Sequence, residues 1–266
     1  MLQSKIKSSN ILDRSIKLYH LANIKLRKEP YKYIFILGHM RSGSSLLVHI
    51  LNTNPDICGY GEAHNSYRTN RDLNQLVYKN KLQLKHFKTN DKYVLDKILH
   101  NNHEISEQIL KNKNIYFIFL FRHPQPSLSS MINLYQGHRS IEEKRASLDY
   151  YLNYYTNRLS KLKEYASLIN DKNRSLAFSY TNLIEDTDRI FLKLKIFLSL
   201  EFDFQENYQV LKTTGIKGIG DISDRIKSGK IMRNINSSTD NIPTEIMNYA
   251  EKEYLQYVNC LQQYCS

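Results

Sequence analysis

The feature that most constrains this chain is a short apolar run that ends in a loop of glycine and serine. Residues 33–37, Tyr-Ile-Phe-Ile-Leu, form the run, and Gly38 ends it. A continuous apolar run of this length is typical of a strand buried on both faces of a parallel sheet. Apolar residues then recur at helical spacing, at Leu46, Leu47, Ile50 and Leu51. We therefore expect a buried strand, a polar loop and a helix, in that order.

The same alternation of buried strands and helical stretches continues along the chain. Apolar runs predict further strands at residues 93–96, 115–121 and 175–178, and a short strand that ends at Cys58. Apolar periodicity predicts helices near residues 69–79, 104–111, 126–136, 142–170, 187–199 and 244–263. Alternating strands and helices build a parallel sheet with helices on both faces. The expected architecture is one α/β domain of the P-loop type over residues 1–266.

The chain shows no internal domain boundary. No repeat, proline- or glycine-rich linker or low-complexity segment divides it, and residues 5–28 carry the pattern of an amphipathic helix. We therefore treat residues 1–30 as an N-terminal helical extension of the single domain. In parallel α/β sheets, ligands bind beyond the carboxyl ends of the strands. Binding and catalytic residues are expected in the loops after Leu37, Cys58, Asp96 and Phe121.

Composition narrows the partners and the compartment. The chain has 38 Lys and Arg against 26 Asp and Glu, and its net charge of +12 favours a polyanionic partner. No helix-turn-helix, zinc-ligand spacing or aromatic RNA-binding motif is present, so we expect neither nucleic acid nor a bound metal. The longest apolar run is far too short to span a membrane, and the N-terminus lacks the apolar core of a signal peptide. Three cysteines cannot form a disulfide framework, which favours a cytoplasmic protein.

Residues 38–45, Gly-His-Met-Arg-Ser-Gly-Ser-Ser, have the composition of a loop that binds a phosphate-like anion. Backbone N–H groups of such a loop, with the N-terminus of the next helix, point at the anion. An ATP- or GTP-binding P-loop has Lys directly after its last Gly, whereas this chain has Ser44 after Gly43. The strand before Arg122 also ends without an acidic residue for Mg²⁺. The loop therefore favours an anion held without a tightly bound metal. Its expected anion-binding residues are Arg41, Ser42, Gly43, Ser44 and Ser45.

This loop and a second segment resemble the donor site of the PAPS-dependent sulfotransferases, where PAPS is 3′-phosphoadenosine 5′-phosphosulfate. The loop at 38–45 resembles the family's 5′-phosphosulfate loop, with Arg41 where the family usually has Lys. Arg122 stands at a predicted strand end, and Ser130 follows eight residues later, about two helical turns along. This pair resembles the 3′-phosphate motif, and a guanidinium fork suits bidentate phosphate binding.

Two later segments extend the resemblance to about residues 33–230, and bacterial and glycan-type members are the closest in motif. Tyr180, in Phe-Ser-Tyr-Thr-Asn-Leu, resembles the family tyrosine near the adenine. Lys217 and Gly218 resemble a loop that closes over the 3′-phosphate, with Ile216 in place of the usual Arg. The resemblance thus implies that all four segments, in this order, bind PAPS.

Sulfuryl transfer also needs a base for the acceptor hydroxyl, and two residues are candidates. Glu62, followed by Ala63 and His64, resembles the Glu-x-His element of glycan sulfotransferases, in which the Glu is the base. His100 resembles the base in the Lys-x-His element of cytosolic sulfotransferases, although Lys97 is displaced by one position. We favour Glu62 and keep His100 open. Arg41 is expected to stabilise charge that develops on the bridging oxygen.

The resemblance therefore implies an enzyme that moves a sulfuryl group from PAPS to a hydroxyl or amine. A carbohydrate is the first acceptor class that we consider, and a small molecule is the second. The product of the donor would be 3′,5′-diphosphoadenosine (PAP). Three other functions stay open, namely a P-loop nucleotide or small-molecule kinase, a nucleotide-binding protein without catalysis and, against the missing motifs, a basic nucleic-acid binder.

Overall fold

The computed structural model describes residues 27–84, 91–133, 141–211, 214–215, 224–233 and 242–266. Two predictions concern other parts of the chain. Most of the leading helix, and the pair Lys217 and Gly218, lie outside the described residues.

The described residues contain one parallel sheet of five strands. The strands are β1 (Lys32–Gly38), β2 (Ile57–Cys58), β3 (Tyr93–Ile98), β4 (Ile115–Phe121) and β5 (Ser175–Ser179). Their spatial order is β2-β3-β1-β4-β5, and every neighbouring pair is parallel. The predicted α/β fold is therefore confirmed, and β1, which leads into the phosphate loop, lies at the centre of the sheet.

Helices follow the strands at nearly all of the predicted places. They are α1 (Ser44–Thr53), α2 (Asn70–Leu84), α3 (Glu107–Leu110), α4 (Pro124–Asn133), α5 (Ile141–Ile169), α6 (Tyr180–Glu185), α7 (Thr187–Phe197), α8 (Asp224–Lys227) and α9 (Thr244–Tyr264). Among the described residues, no helix combines the length and the apolar character needed to cross a membrane.

One predicted helix, at 104–111, is shorter in the structure, and α6 has no counterpart in the prediction. The helix predicted over 104–111 is shortened to α3, because Ile105 forms an isolated bridge with Tyr67 and Ser106 caps the helix through its side chain. The sequence pattern did not predict α6. The Ser179 hydroxyl accepts from the Asn182 backbone N–H, and the Asn182 side chain accepts from the Ser179 backbone N–H. This capping box starts a helix directly at the end of β5.

Alternate residues of β1 enter two different cores. Phe35 and Leu37 pack on one side of the sheet, with residues of α2, α4, α5 and α9, whereas Ile34 and Ile36 pack on the other, with residues of α1 and α7. All four side chains are fully buried. Side chains of a strand alternate between its faces, so a strand that is apolar throughout needs cover on both. Each such side chain contributes about 1.5–3 kcal/mol through burial.

The long helix α5 holds the carboxyl ends of the strands together through Arg158, which is fully buried. Its Nε donates to the Gly38 carbonyl at the end of β1 (2.8 Å), and its Nη2 donates to the Ile98 carbonyl at the end of β3 (2.5 Å). Its Nη1 donates to Asn101 Oδ1 at 2.8 Å. Arg158 therefore fixes the two strand ends from which the phosphate loop and the His100 loop begin.

We expect Arg158→Met to lower the free energy of unfolding by about 3 kcal/mol, since buried hydrogen bonds to a charged group are lost. Urea denaturation followed by circular dichroism measures this change. Arg189→Ala is the matched control, because that side chain is 70% exposed and its ion pair with Asp186 contributes little. Equal unfolding midpoints for the two variants would contradict the structural role of Arg158.

Candidate functional site

The phosphate loop, residues 38–45, has two residues with positive φ before α1 begins. Gly43 has a φ of 91° and caps α1 without a side-chain hydrogen bond, and the first turn of α1 contains no acidic residue. Arg41 also has a positive φ, 63°. A helix N-terminus with no side chain over its first amides is a natural site for an anion. The loop thus has the local structure that residues 38–45 predict.

Tyr180 closes one side of this loop. A Cβ atom on Gly43 would lie 2.2 Å from the Tyr180 ring, so only glycine allows this contact. The guanidinium carbon of Arg122 lies 4.6 Å from the centroid of the same ring, which is a cation–π contact. Three predicted donor-site residues, from the ends of β1, β4 and β5, therefore meet in one place.

Arg41 and Ser130 also belong to this cluster. Arg41 Nε donates to Ser130 Oγ at 2.8 Å, and Arg122 Nη1 donates to the Arg41 carbonyl at 3.3 Å. Burial lowers the pKa of Arg122, and the positive charges of Arg41 and Arg225 lower it further. A bound anion would relieve the repulsion between these guanidinium groups. The arrangement therefore suits a phosphate group, which the fork of an arginine can bind with two hydrogen bonds.

His39 links the phosphate loop to Arg122, a role that the sequence pattern did not predict. Its Nδ1 hydrogen-bonds to the Met40 carbonyl at 2.8 Å, and its Nε2 accepts from the Arg122 backbone N–H at 3.3 Å. Burial lowers the pKa of His39 to about 4. The neutral ring, with its proton on Nδ1, satisfies both bonds, so His39 is structural.

The two candidate bases lie in a second cluster on the other side of the loop. Glu62 is 93% buried, since only 7% of its surface is exposed, and its Oε1 has no hydrogen-bond partner. His100 Nε2 lies 3.9 Å from that oxygen, and His64 Nδ1 lies 3.8 Å from it. These distances are too long for direct hydrogen bonds, so neither ring is bonded to the carboxylate.

Lys97 joins the second cluster to the phosphate loop. Its Nζ donates to Ser45 Oγ at 3.2 Å and lies 3.7 Å from Glu62 Oε2. In the sequence, Lys97 stands one position away from the Lys of the Lys-x-His pattern. The displacement does not remove its charge from the site, because Lys97 is buried beside both the loop and the candidate base.

Asp96 holds the Glu62 loop against β3. Its Oδ1 accepts from the backbone N–H groups of Ala63 (2.8 Å) and Lys97 (2.9 Å), and its Oδ2 accepts from the Tyr67 hydroxyl (2.5 Å). Burial raises the pKa of Asp96 to about 7, whereas the hydrogen bond from Tyr67 acts in the opposite direction. With its oxygens used in this way, Asp96 serves to orient Glu62.

Three histidine side chains, those of His64, His100 and His103, lie in or beside the Glu62 cluster. The rings of His64 and His103 lie 5.5 Å apart, and burial lowers the pKa of His100 and His103 below 6.5. His100 and His103 are therefore neutral at pH 7. In the part of the chain that the structure describes, no three His, Cys, Asp or Glu side chains are placed to hold a metal ion.

The remaining predicted donor residues fall into place along the loop. Ser42 and Ser44 are buried, and Ser42 Oγ has no hydrogen-bond partner. The structure thus brings together the predicted residues of the two clusters, namely Arg41, Ser42, Gly43, Ser44, Ser45, Glu62, His100, Arg122, Ser130 and Tyr180.

The fold is that of sulfotransferases. The sulfotransferase domain of the curacin biosynthetic pathway aligns with a TM-score of 0.55 and 16% identity, over 86% of this chain and 99% of that domain. Mouse sulfotransferase SULT7A1, solved in complex with PAP, aligns with a TM-score of 0.55 and 14% identity, over 92% of this chain and 93% of that one. No protein-family model and no curated protein matches the sequence. The predicted resemblance is confirmed at the level of fold.

We expect Gly43→Ala to weaken PAP binding about tenfold or more, because the new methyl group displaces Tyr180 and with it Arg122. Gly229→Ala is the control, since Gly229 also has a positive φ (70°) but its Cβ would meet no atom closer than 3.4 Å. Isothermal titration calorimetry with PAP compares the two variants. If both lose the same affinity, the contact between Gly43 and Tyr180 is not part of the binding site.

Proposed function

We propose that this protein is a sulfotransferase that moves a sulfuryl group from PAPS to an acceptor hydroxyl. The observation that carries the proposal is the arrangement of two clusters on either side of one anion loop. Arg41, Arg122, Ser130 and Tyr180 lie on one side, and Glu62, Lys97 and His100 lie on the other. A cationic cluster suits the phosphate groups of the donor. A cluster with a base suits the hydroxyl group of the acceptor.

The cationic cluster would bind the 3′-phosphate. Arg122 and Ser130 would contact it, while Arg41, which is bonded to Ser130, adds charge at the same place. Tyr180 lies under the Arg122 guanidinium and would stand beside the adenosine. Lys217 and Gly218 remain predicted members of this site. The backbone N–H groups of residues 43–45 would hold the 5′-phosphosulfate, whereas the predicted N–H of Ser42 donates to the His39 carbonyl.

We propose that the transfer is an in-line displacement at sulfur. The acceptor oxygen forms a bond to sulfur, the bond between sulfur and the 5′-phosphate oxygen breaks, and PAP leaves with that electron pair. The acceptor proton passes to the base. Charge that develops on the bridging oxygen would be stabilised by Lys97, which lies at Ser45 within the loop, whereas the Arg41 side chain expected there is bonded to Ser130 on the 3′-phosphate side.

Glu62 is the base that we propose. Its Oε1 is buried without a partner, and its other oxygen lies near Lys97, so the free oxygen can accept the acceptor's proton. His100 would orient the acceptor from the opposite side of the gap, 3.9 Å from Glu62 Oε1. A neutral imidazole can also accept a proton, so variants of both residues are needed to assign the base.

The proposal also covers the class of acceptor and the cellular compartment. We propose a hydroxylated acceptor, with carbohydrate as the first class, because Glu62 and His64 resemble the element of the glycan enzymes. The described cysteines, Cys58, Cys260 and Cys265, carry free thiols, which fits the cytoplasmic location that we propose.

We expect PAP to bind without metal, and Arg122→Ala to weaken this binding about 30-fold or more, because a phosphate loses its charged partner. The same variant should bind 5′-AMP, which lacks the 3′-phosphate, as the unaltered protein does. Calorimetry with PAP, 5′-AMP and Mg²⁺-ATP measures all three ligands. Equal or tighter binding of Mg²⁺-ATP would overturn the sulfotransferase proposal in favour of a kinase.

We expect Glu62→Gln to lower kcat about 100-fold or more while the Kd of PAP stays unchanged, since the variant keeps the shape of the side chain but loses the base. His100→Asn should lower kcat about tenfold or less. Release of PAP from PAPS, with simple sugars and phenols as acceptors, provides the rate. A larger loss for His100→Asn would assign the base to His100.

The pH profile separates the two bases further. Burial lowers the pKa of His100 below 6.5, so a His100 base would be protonated, and kcat would fall, only as the pH drops through that lower value. His100→Asn would then abolish this acid limb. If His100 is not the base, His100→Asn leaves the shape of the pH profile as it is in the unaltered protein.

A further inference from the structure

Two adjacent tyrosines of α5 contact different halves of the candidate site. Residues one apart on a helix differ in direction by about 100°. Tyr154 is directed at the ends of β1 and β3, and Tyr155 at the end of β4. Neither was predicted to act in the reaction, since a run of tyrosines at helical spacing is ordinarily packing.

The Tyr154 hydroxyl bridges the phosphate loop and the loop that carries His100. It accepts from the Met40 backbone N–H at 2.8 Å and donates to the Leu99 carbonyl at 2.7 Å. Arg41 directly follows Met40, and His100 directly follows Leu99. The Tyr154 ring also lies 5.5 Å from the ring of His100. One hydroxyl group therefore sets the separation between the donor side and the acceptor side.

Arg158 forms a deeper link between the same strands, one helical turn along α5. It bonds the carbonyls of Gly38 and Ile98, while Tyr154 bonds groups one or two residues further out. Arg158 fixes the strand ends themselves, so removing the Tyr154 hydroxyl leaves the sheet intact. What changes is the position of the two loops beyond it.

Tyr155 contacts the donor side alone. Its hydroxyl donates to the Arg122 carbonyl at 3.0 Å, and its ring packs edge-on against His39 at 4.8 Å. Ser127 Oγ also donates to the Arg122 carbonyl, at 3.3 Å, so loss of the Tyr155 hydroxyl leaves that carbonyl with a partner. Tyr155 therefore positions Arg122. Within the described residues, its hydrogen bond and its ring contact do not involve Glu62, Lys97 or His100.

We propose that Tyr154 is a positioning residue for sulfuryl transfer, which holds the acceptor loop at the correct distance from the donor loop, and that Tyr155 positions the donor through Arg122. This proposal rests on the proposed function. Reaction rates depend steeply on such a distance, because a misplacement of about 1 Å costs about 100-fold in rate. Tyr154 should therefore control kcat, and Tyr155 should control the affinity for PAP.

The test compares Tyr154→Phe with Tyr155→Phe, two variants that each remove one hydroxyl from neighbouring tyrosines, of which Tyr154 is partly buried and Tyr155 fully buried. We expect Tyr154→Phe to lower kcat for PAP release about tenfold or more, with the Kd of PAP unchanged. We expect Tyr155→Phe to raise the Kd of PAP about three- to tenfold, as for one lost hydrogen bond, with kcat unchanged. Thr156→Ala controls for general loosening of α5, since the Thr156 hydroxyl bonds only to carbonyls of its own helix.

Each outcome decides between specific positioning and mere packing. If Tyr154→Phe and Thr156→Ala lower the melting temperature equally and only Tyr154→Phe lowers kcat, positioning is supported. If both tyrosine variants change kcat and Kd alike, or neither changes them, the proposal is wrong while the function can still hold. If the unaltered protein binds no PAP, the proposed function fails, and this inference fails with it.

Discussion

The site depends on one buried positive charge. Arg158 is fully buried, and its recorded hydrogen bonds run to two strand-end carbonyls and the Asn101 side chain. Removing a guanidinium from water is costly, and burial lowers the pKa of Arg158 accordingly. Carbonyl dipoles at the carboxyl ends of β1 and β3 offset that cost. Because Gly38 and Ile98 are fixed in this way, the loops that begin there have defined starting points.

Charge is distributed unequally on the two sides of the phosphate loop. The donor side gathers the guanidinium groups of Arg41 and Arg122, whereas the acceptor side sets the Lys97 ammonium beside the Glu62 carboxylate. A polyanionic ligand would therefore be attracted to the side of Arg41 and Arg122, while on the other side the Lys97 ammonium balances the charge of the Glu62 carboxylate.

The sequence predicted the elements that depend on local pattern. The buried strands, the glycine turn at Gly43 and the place of Ser130 on the helix that follows Arg122 agree with residue type and spacing, and the structure contains them. Contacts made across the fold had no such signal. Arg158 and Tyr154 lie in the middle of a long polar helix, and nothing in their spacing shows which strand ends they reach. Lys97 is hard to recognise in the sequence for a different reason, because its spacing from His100 differs by one residue from the Lys-x-His pattern.

The same geometry explains why the donor was easier to predict than the acceptor. The donor residues stand at the ends of β1, β4 and β5, where the sheet itself fixes them, so a short motif suffices to place each one. The acceptor side is built from loops: His64 follows Glu62 in one, and His100 and His103 lie in another. Loops carry specificity and vary without disturbing the sheet that they join. The proposed base, Glu62, is tied to the sheet through Asp96, which accepts from the Ala63 N–H. For the proposed sulfotransferase, the identity of the acceptor would therefore depend on the shape of those loops.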